Sequence, residues 1–122
     1  MKKAILDTSF ILTCVKQKID FFEELILKGF QILIPEQVIE EIKGISKSKK
    51  INERENANLA LKLIKNSPFK KIDLEIKNVD KGIIKFADEN IETIVGTLDK
   101  EIKRKTENQK LVIRGQRKLE IV

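Results

Sequence analysis

Ala4-Ile5-Leu6-Asp7-Thr8-Ser9-Phe10-Ile11-Leu12 opens on three consecutive apolar residues, meets an acid and two hydroxyls, and then turns apolar again with helical spacing. A short unbroken apolar run suits a strand buried on both faces, and the change of period marks a helix. Strand, turn, helix is the opening unit of a parallel sheet, whose strands need crossover connections. Two runs of the same kind follow, Gln31–Ile34 before Pro35 and Thr93–Thr97 before Asp99. Between the runs the spacing predicts helices at Asp20–Gly29, at Glu36–Lys43 stopped by Gly44, at Asn52–Lys65, Val79–Asn90 and Asp99–Glu107. Ile45–Glu53, basic and polar, reads as an exposed connection, and Lys71–Ile76 alternates as a strand at a sheet edge should. Leu111–Ile113 and Leu119–Val122 supply the last strand material. The order β-α-α-β-α-α-β-α-β-α-β predicts the α/β class, a three-layer α/β/α sandwich with a central, mostly parallel sheet.

The 122 residues fit one domain, 1–122, and no apolar run approaches the ~20 residues of a membrane span. The basic, apolar start is crudely like a signal peptide, but Asp7 interrupts it and no small-residue cleavage site closes it, so it reads as strand and helix. Cys14 is the one cysteine and the chain has no His. Internal disulfides, cysteine zinc sites and Ser-His or Cys-His catalysis are therefore excluded, and a reducing cytoplasmic location is expected. The net charge of +6 concentrates at Lys43, Lys47, Lys49 and Lys50 and again at Lys100, Lys103, Arg104, Arg114 and Arg117. A polyanion is the natural partner of such patches; the alternative is a solvated Lys-rich surface.

In α/β sheets ligands bind beyond the carboxyl ends of the strands, where Asp7 and Asp99 follow predicted strands. At about 100° per residue, Val38, Ile39, Ile42 and Ile45 form an apolar arc with Glu41 on its flank and Glu40 nearly opposite. On the helix from Val79, Asp80 shares the face of Ile83, Ile84, Ala87 and Ile91 and is its inward acid. Clustered inward carboxylates repel one another and need a cation. An all-oxygen set selects Mg²⁺ or Mn²⁺, ions that promote in-line displacement at a phosphodiester. Each acid alone also reads as a helix cap or turn residue, although capping does not account for Glu41 in mid-helix. Ser9 and Thr97 are supporting candidates, and hydroxyls in such turns commonly satisfy backbone groups.

The pieces Ile5–Ser9, Ile34–Ile42, Asp80 with Ile83 and Ala87, and Thr97–Glu101 resemble the successive motifs of PIN domains, in order through nearly the whole chain. The likeness is to archaeal PIN ribonucleases similar to those that process ribosomal RNA, with VapC-type toxins as cousins. It implies the α/β/α sandwich, Mg²⁺ or Mn²⁺ at Asp7, Glu41, Asp80 and Asp99, and endonucleolytic cleavage of single-stranded RNA. Leu98 and Lys81 depart from it, standing where the family often has a polar residue and a second acid.

The expectation is a metal-dependent endoribonuclease whose basic patches hold RNA, with ribosome-assembly factors or an antitoxin as partners and a homodimer allowed. A non-catalytic RNA-binding module of the same fold, or a toxin ribonuclease, are the alternatives. A phosphorylatable receiver domain fits poorly, because its acceptor Asp follows a middle strand and here Ile34 precedes Pro35. Phe is the only aromatic, and Phe10, Phe21 and Phe22 read as core, so little base stacking and weak sequence specificity are expected.

Overall fold

The structure, a computed structural model that describes residues 1–115 and 117–122, places β1 (Lys2–Leu6) at the centre of a sheet ordered β3-β2-β1-β4-β5-β6. Ala4, Ile5 and Leu6 are fully buried because both neighbours of β1 are parallel strands and helices cover both faces, as the unbroken apolar run requires. β2 (Phe30–Pro35) pairs with it in the register Ala4↔Ile32, and β4 (Ile94–Gly96) in the register Leu6↔Gly96. β3 (Lys70–Ile72) lies parallel at one edge, and β5 (Lys110–Arg114) continues the parallel set on the other side. The predicted α/β sandwich is therefore the fold.

Two helical crossovers, α1 (Thr8–Lys16) with α2 (Phe21–Leu27) and α3 (Glu36–Ile45) with α4 (Ile51–Lys65), carry the chain from β1 to β2 and from β2 to β3. α5 (Val79–Glu89) then returns it past β1 to β4, and α6 (Lys100–Lys105) joins β4 to β5. The strand order reverses between β1 and β4, so the connections that leave their carboxyl ends run to opposite sides and leave a crevice at that point. Phe10 and Phe21 meet edge to face under this crevice with centroids 6.1 Å apart, and both are fully buried. Asn108, buried behind β4, donates to the carbonyls of Ala87, Asn90 and Thr93 and ties the end of α5 to the approach to β4.

Several boundaries differ from the sequence reading. α3 runs through Gly44 to Ile45, whose side chain packs on the core, and Ser46 closes it by donating its hydroxyl to the Lys43 carbonyl. The exposed connection shrinks accordingly to the residues between Ile45 and Ile51. β3 ends at Ile72 rather than Ile76, because the Leu74 amide donates to the Gln37 side chain and the Glu75 amide to Asp73, with Glu75 at φ 61°. α6 stops at Lys105, where Thr106 turns extended and its hydroxyl caps the Ile102 carbonyl. The last strand material forms two strands, as β6 (Lys118–Ile121) folds back antiparallel on β5.

Leu74 packs directly on α5, and a Cβ on Gly82 would lie 2.8 Å from its Cδ1 and 2.9 Å from its Cβ. Gly82→Ala should destabilise the chain by about 1 kcal/mol, since overpacking costs roughly 1–3 kcal/mol and the gain in helix propensity returns about 1. Gly44, also helical, has nothing within 4 Å of its Cβ position, so Gly44→Ala should stabilise by about 0.5–1 kcal/mol. Thermal unfolding of the two variants should therefore shift in opposite directions.

Candidate functional site

Asp7 follows β1 directly, and its amide extends the ladder one step by donating to the Gly96 carbonyl at 2.9 Å. That bond brings the turn after β1 against the turn after β4. Asp7 also caps α1, its Oδ1 accepting from the Thr8 amide at 2.8 Å. Its Oδ2 accepts from the Thr97 hydroxyl at 2.7 Å and from the Ser9 hydroxyl at 3.3 Å. Both hydroxyls are fixed in turn by the loop after β4, Thr97 Oγ1 accepting from the Asp99 amide at 3.0 Å and Ser9 Oγ from the Leu98 amide at 3.2 Å. Asp7 is only 5% exposed, and burial pushes its carboxyl above the ordinary 3.8, opposed by the Thr97 and Thr8 bonds and reinforced by Glu41.

The other three acids reach the same place from three helices. Glu41 projects from α3 and accepts from the Thr8 hydroxyl at 2.5 Å. Asp99 caps α6, with one oxygen taking the amides of Glu101 at 2.9 Å and Ile102 at 3.0 Å. Asp80 stands in the first turn of α5, which Asn78 caps by accepting from the Lys81 amide. Partial desolvation raises the Asp80 pKa, and the charges of Asp99, Asp7 and Glu101 raise it further. Asp7, Glu41, Asp80 and Asp99 line one depression of about 310 Å³ with Thr8, Ser9 and Leu98.

The four acids are thus brought together, although two are less inward than the helical geometry suggested. Glu41 and Asp80 are both exposed, because the depression opens to solvent beyond the apolar arcs of their helices. Ile91 lies past the end of α5 and is 52% exposed rather than sharing the buried face. Glu40, as expected, points to water, where it pairs with Lys43 at 3.3 Å. Among the described residues no ion pair involves Asp7, Glu41, Asp80 or Asp99.

No group of three acids among the described residues stands close enough to ligate one ion as a closed cage. The donor set is nevertheless all carboxylate and hydroxyl. It fits a hard divalent cation held by one or two carboxylates that keeps most of its own water. Cys14 contributes nothing to such chemistry, being buried in the core with its thiol pushed up to about 12 by burial and by Glu24.

None of the nominated basic residues lines the acidic depression. Lys43 borders a neighbouring groove of about 480 Å³ with Lys71 and Lys77. Lys50, Arg104 and Arg114 are exposed and paired with Glu53 at 3.9 Å, Glu101 at 3.4 Å and Glu120 at 3.5 Å. Lys47, Lys49 and Lys100 are exposed without such a partner among the described residues, and Lys103 is half-buried. Arg117 borders a separate depression with Lys16 and Lys18.

Two residues escaped the sequence reading. Thr8 joins the loop after β1 to Glu41, and its only signal was a hydroxyl beside Asp7. Gln37 clamps the loop leading to α5, donating to Asp73 at 2.7 Å and accepting from the Leu74 amide at 3.1 Å. Its partners lie 36 and 37 residues away in the chain, and no local pattern marks it.

A family profile described as PIN like domain matches residues 4–118. Ribonuclease VapC4 of Methanocaldococcus jannaschii is 36% identical over 110 residues, covering 86% of this chain and 82% of that protein. Among solved structures, the PIN domain endonuclease Utp24 superposes with a TM-score of 0.79 at 23% identity, covering 98% of this chain and 90% of that one. VapBC2 from Rickettsia felis, solved bound to a DNA fragment from its promoter, gives 0.58 at 23% identity, covering 88% and 98%. Those two likenesses agree on the fold, and with the profile and the 36% identical relative they establish that the chain belongs to the PIN-like domain family.

Proposed function

We propose that this chain is a Mg²⁺- or Mn²⁺-dependent endoribonuclease that hydrolyses single-stranded RNA at the depression formed by Asp7, Glu41, Asp80 and Asp99. The carrying observation is that four carboxylates line one depression with no ion pair to any of them among the described residues. Like charges gathered without a counter-charge are costly, and a divalent cation removes that cost. The relative named a ribonuclease supplies the reaction class. When bound, the cation would act as a Lewis acid toward the phosphodiester and lower the pKa of a water.

Each residue has its part in this reading. Asp7, held by Thr97, Ser9 and the Thr8 amide, would be the rigid ligand, and Glu41 is steadied by Thr8. Asp99, with one oxygen on the α6 amides, and Asp80, in the first turn of α5, would bind the cation or the waters it keeps. The sequence has no His, so no imidazole base takes part. Exposed lysines without a carboxylate partner among the described residues, Lys47, Lys49 and Lys100 among them, would hold phosphates and give a steep salt dependence. The work is in the cytoplasm, in processing of ribosomal or other RNA. The VapC4 relative and the VapBC2 likeness favour one second reading, a toxin ribonuclease restrained by an antitoxin.

Incubation of the purified chain with single-stranded RNA and Mn²⁺ should give cleavage that EDTA abolishes. Thr97→Val removes a partner of Asp7 and should cost about 10–100-fold in activity or metal affinity, the usual effect of losing a support behind a ligand. Asp7→Asn should cost more than that. RNA that is bound but left intact by the native chain would instead indicate a binding module.

The burial of Asp7, reinforced by the charge of Glu41, sets a pH dependence. A carboxyl whose folded pKa is raised binds its proton more tightly in the folded chain, so its contribution to stability is present below 3.8 and is lost as pH rises through the folded value. In metal-free protein the native chain should lose stability relative to Asp7→Asn as pH climbs from about 3.8 toward neutral. Parallel stability-against-pH curves for the two chains would remove this account of Asp7.

A further inference from the structure

α1 ends in a Schellman arrangement, in which the Ile19 amide donates to the Cys14 carbonyl at 2.9 Å and the Lys18 amide to the Val15 carbonyl at 3.1 Å. The geometry demands a left-handed residue after the cap, and Lys18 takes it at φ 59°. Glycine is the residue that adopts this conformation without a steric cost. The chain uses glycine for the same purpose at the end of α2, where Gly29 has φ 86°. At the tip between β5 and β6 the pattern recurs: Gly115 has φ 45°, but Arg117 holds φ 61°. Two left-handed positions are therefore occupied by long cations.

Those two cations border one depression. Lys16, Gln17, Lys18, Gly115 and Arg117 line a depression of about 660 Å³, with no carboxylate in its wall among the described residues. Lys43, Lys50, Arg104 and Arg114 each sit beside a glutamate, whereas Lys16, Lys18 and Arg117 make no ion pair among the described residues. Lys16 has a sufficient structural reason, since a cation in the last turn complements the helix dipole. Lys18 and Arg117 have none, and their backbone conformation favours another residue. Strain kept at an exposed position points to a use for the side chain.

We propose that Lys16, Lys18 and Arg117 form a second station for the RNA backbone, separate from the acidic depression, which receives phosphate groups of the strand away from the cleaved bond. The inference rests on the ribonuclease reading for the identity of the polyanion. Arg117 offers a planar fork for phosphate oxygens, and the two lysines offer mobile point charges around it. A strand gripped here and cut elsewhere is recognised by its backbone and not by its bases.

Lys18→Gly and Arg117→Gly separate the side chain from the fold, because glycine suits both backbone positions. Binding of a long, labelled single-stranded RNA would be measured in EDTA across a range of salt, with thermal unfolding and Mn²⁺-dependent cleavage in parallel. Each variant should keep or raise the thermal midpoint while its affinity falls and its log–log salt slope becomes shallower by about 0.7 for a lost phosphate contact. Native affinity and slope in both variants, in a chain that cleaves RNA, would overturn this inference alone. A midpoint that falls together with affinity would also overturn it, by assigning the side chains to the fold. A native chain that neither binds nor cleaves RNA would remove the ribonuclease reading and this station with it.

Discussion

Repulsion among four carboxylates at one rim of a parallel sheet is the constraint around which this molecule is arranged. Asp7 is nearly buried, Asp80 feels the charges of Asp99 and Asp7, and none of the four makes an ion pair among the described residues. Left to themselves such groups would separate. They stay because each is attached to an element that has its own reason to be where it is: β1 and α1 for Asp7, α3 for Glu41, α5 for Asp80 and α6 for Asp99. The crevice between β1 and β4 follows from strand order alone, and the acids occupy it.

The supports beneath the acids serve the fold and the site together. Asp7 caps α1 through one oxygen while its other oxygen is held by Thr97 and Ser9, so one side chain joins the helix start to the loop after β4. Asp99 divides its oxygens in the same way, with one on the α6 amides. Gln37 acts at longer range. By fixing Asp73 and Leu74 it sets the loop that enters α5, and Leu74 in turn rests on Gly82, two residues beyond Asp80. Capping and charge clustering are thus compatible explanations of the same residues.

Much of this was legible because parallel sheets leave a strong local trace. The apolar runs of β1, β2 and β4, and the acids just after β1 and β4, need no long-range information. Helical geometry placed Glu41 and Asp80 on the correct side of their helices but read them as inward, because a helical wheel does not show where the neighbouring layer ends. Lys71–Ile76 alternated as a strand should, yet a side chain on α3 claimed the Leu74 amide and cut β3 short. Gly44 was read as a helix stop because propensity is local, whereas the packing of Ile45 against the core is not. Charge patterning located the lysines and arginines without their partners, so Arg104 and Arg114 stood out in the sequence although glutamates flank them in space. Lys18 drew no notice, since a left-handed lysine is invisible until the backbone is known.

The central claim is that the clustered acids destabilise the metal-free fold and that a divalent cation relieves them. Thermal unfolding of the native chain and of Asp80→Asn, at low salt so that exposed charges are not screened, tests it with and without Mn²⁺. The variant should unfold at the higher temperature without metal, and the native chain should gain more from Mn²⁺, since binding to the folded state alone adds stability. Equal midpoints without metal, together with a native chain indifferent to Mn²⁺, would contradict it.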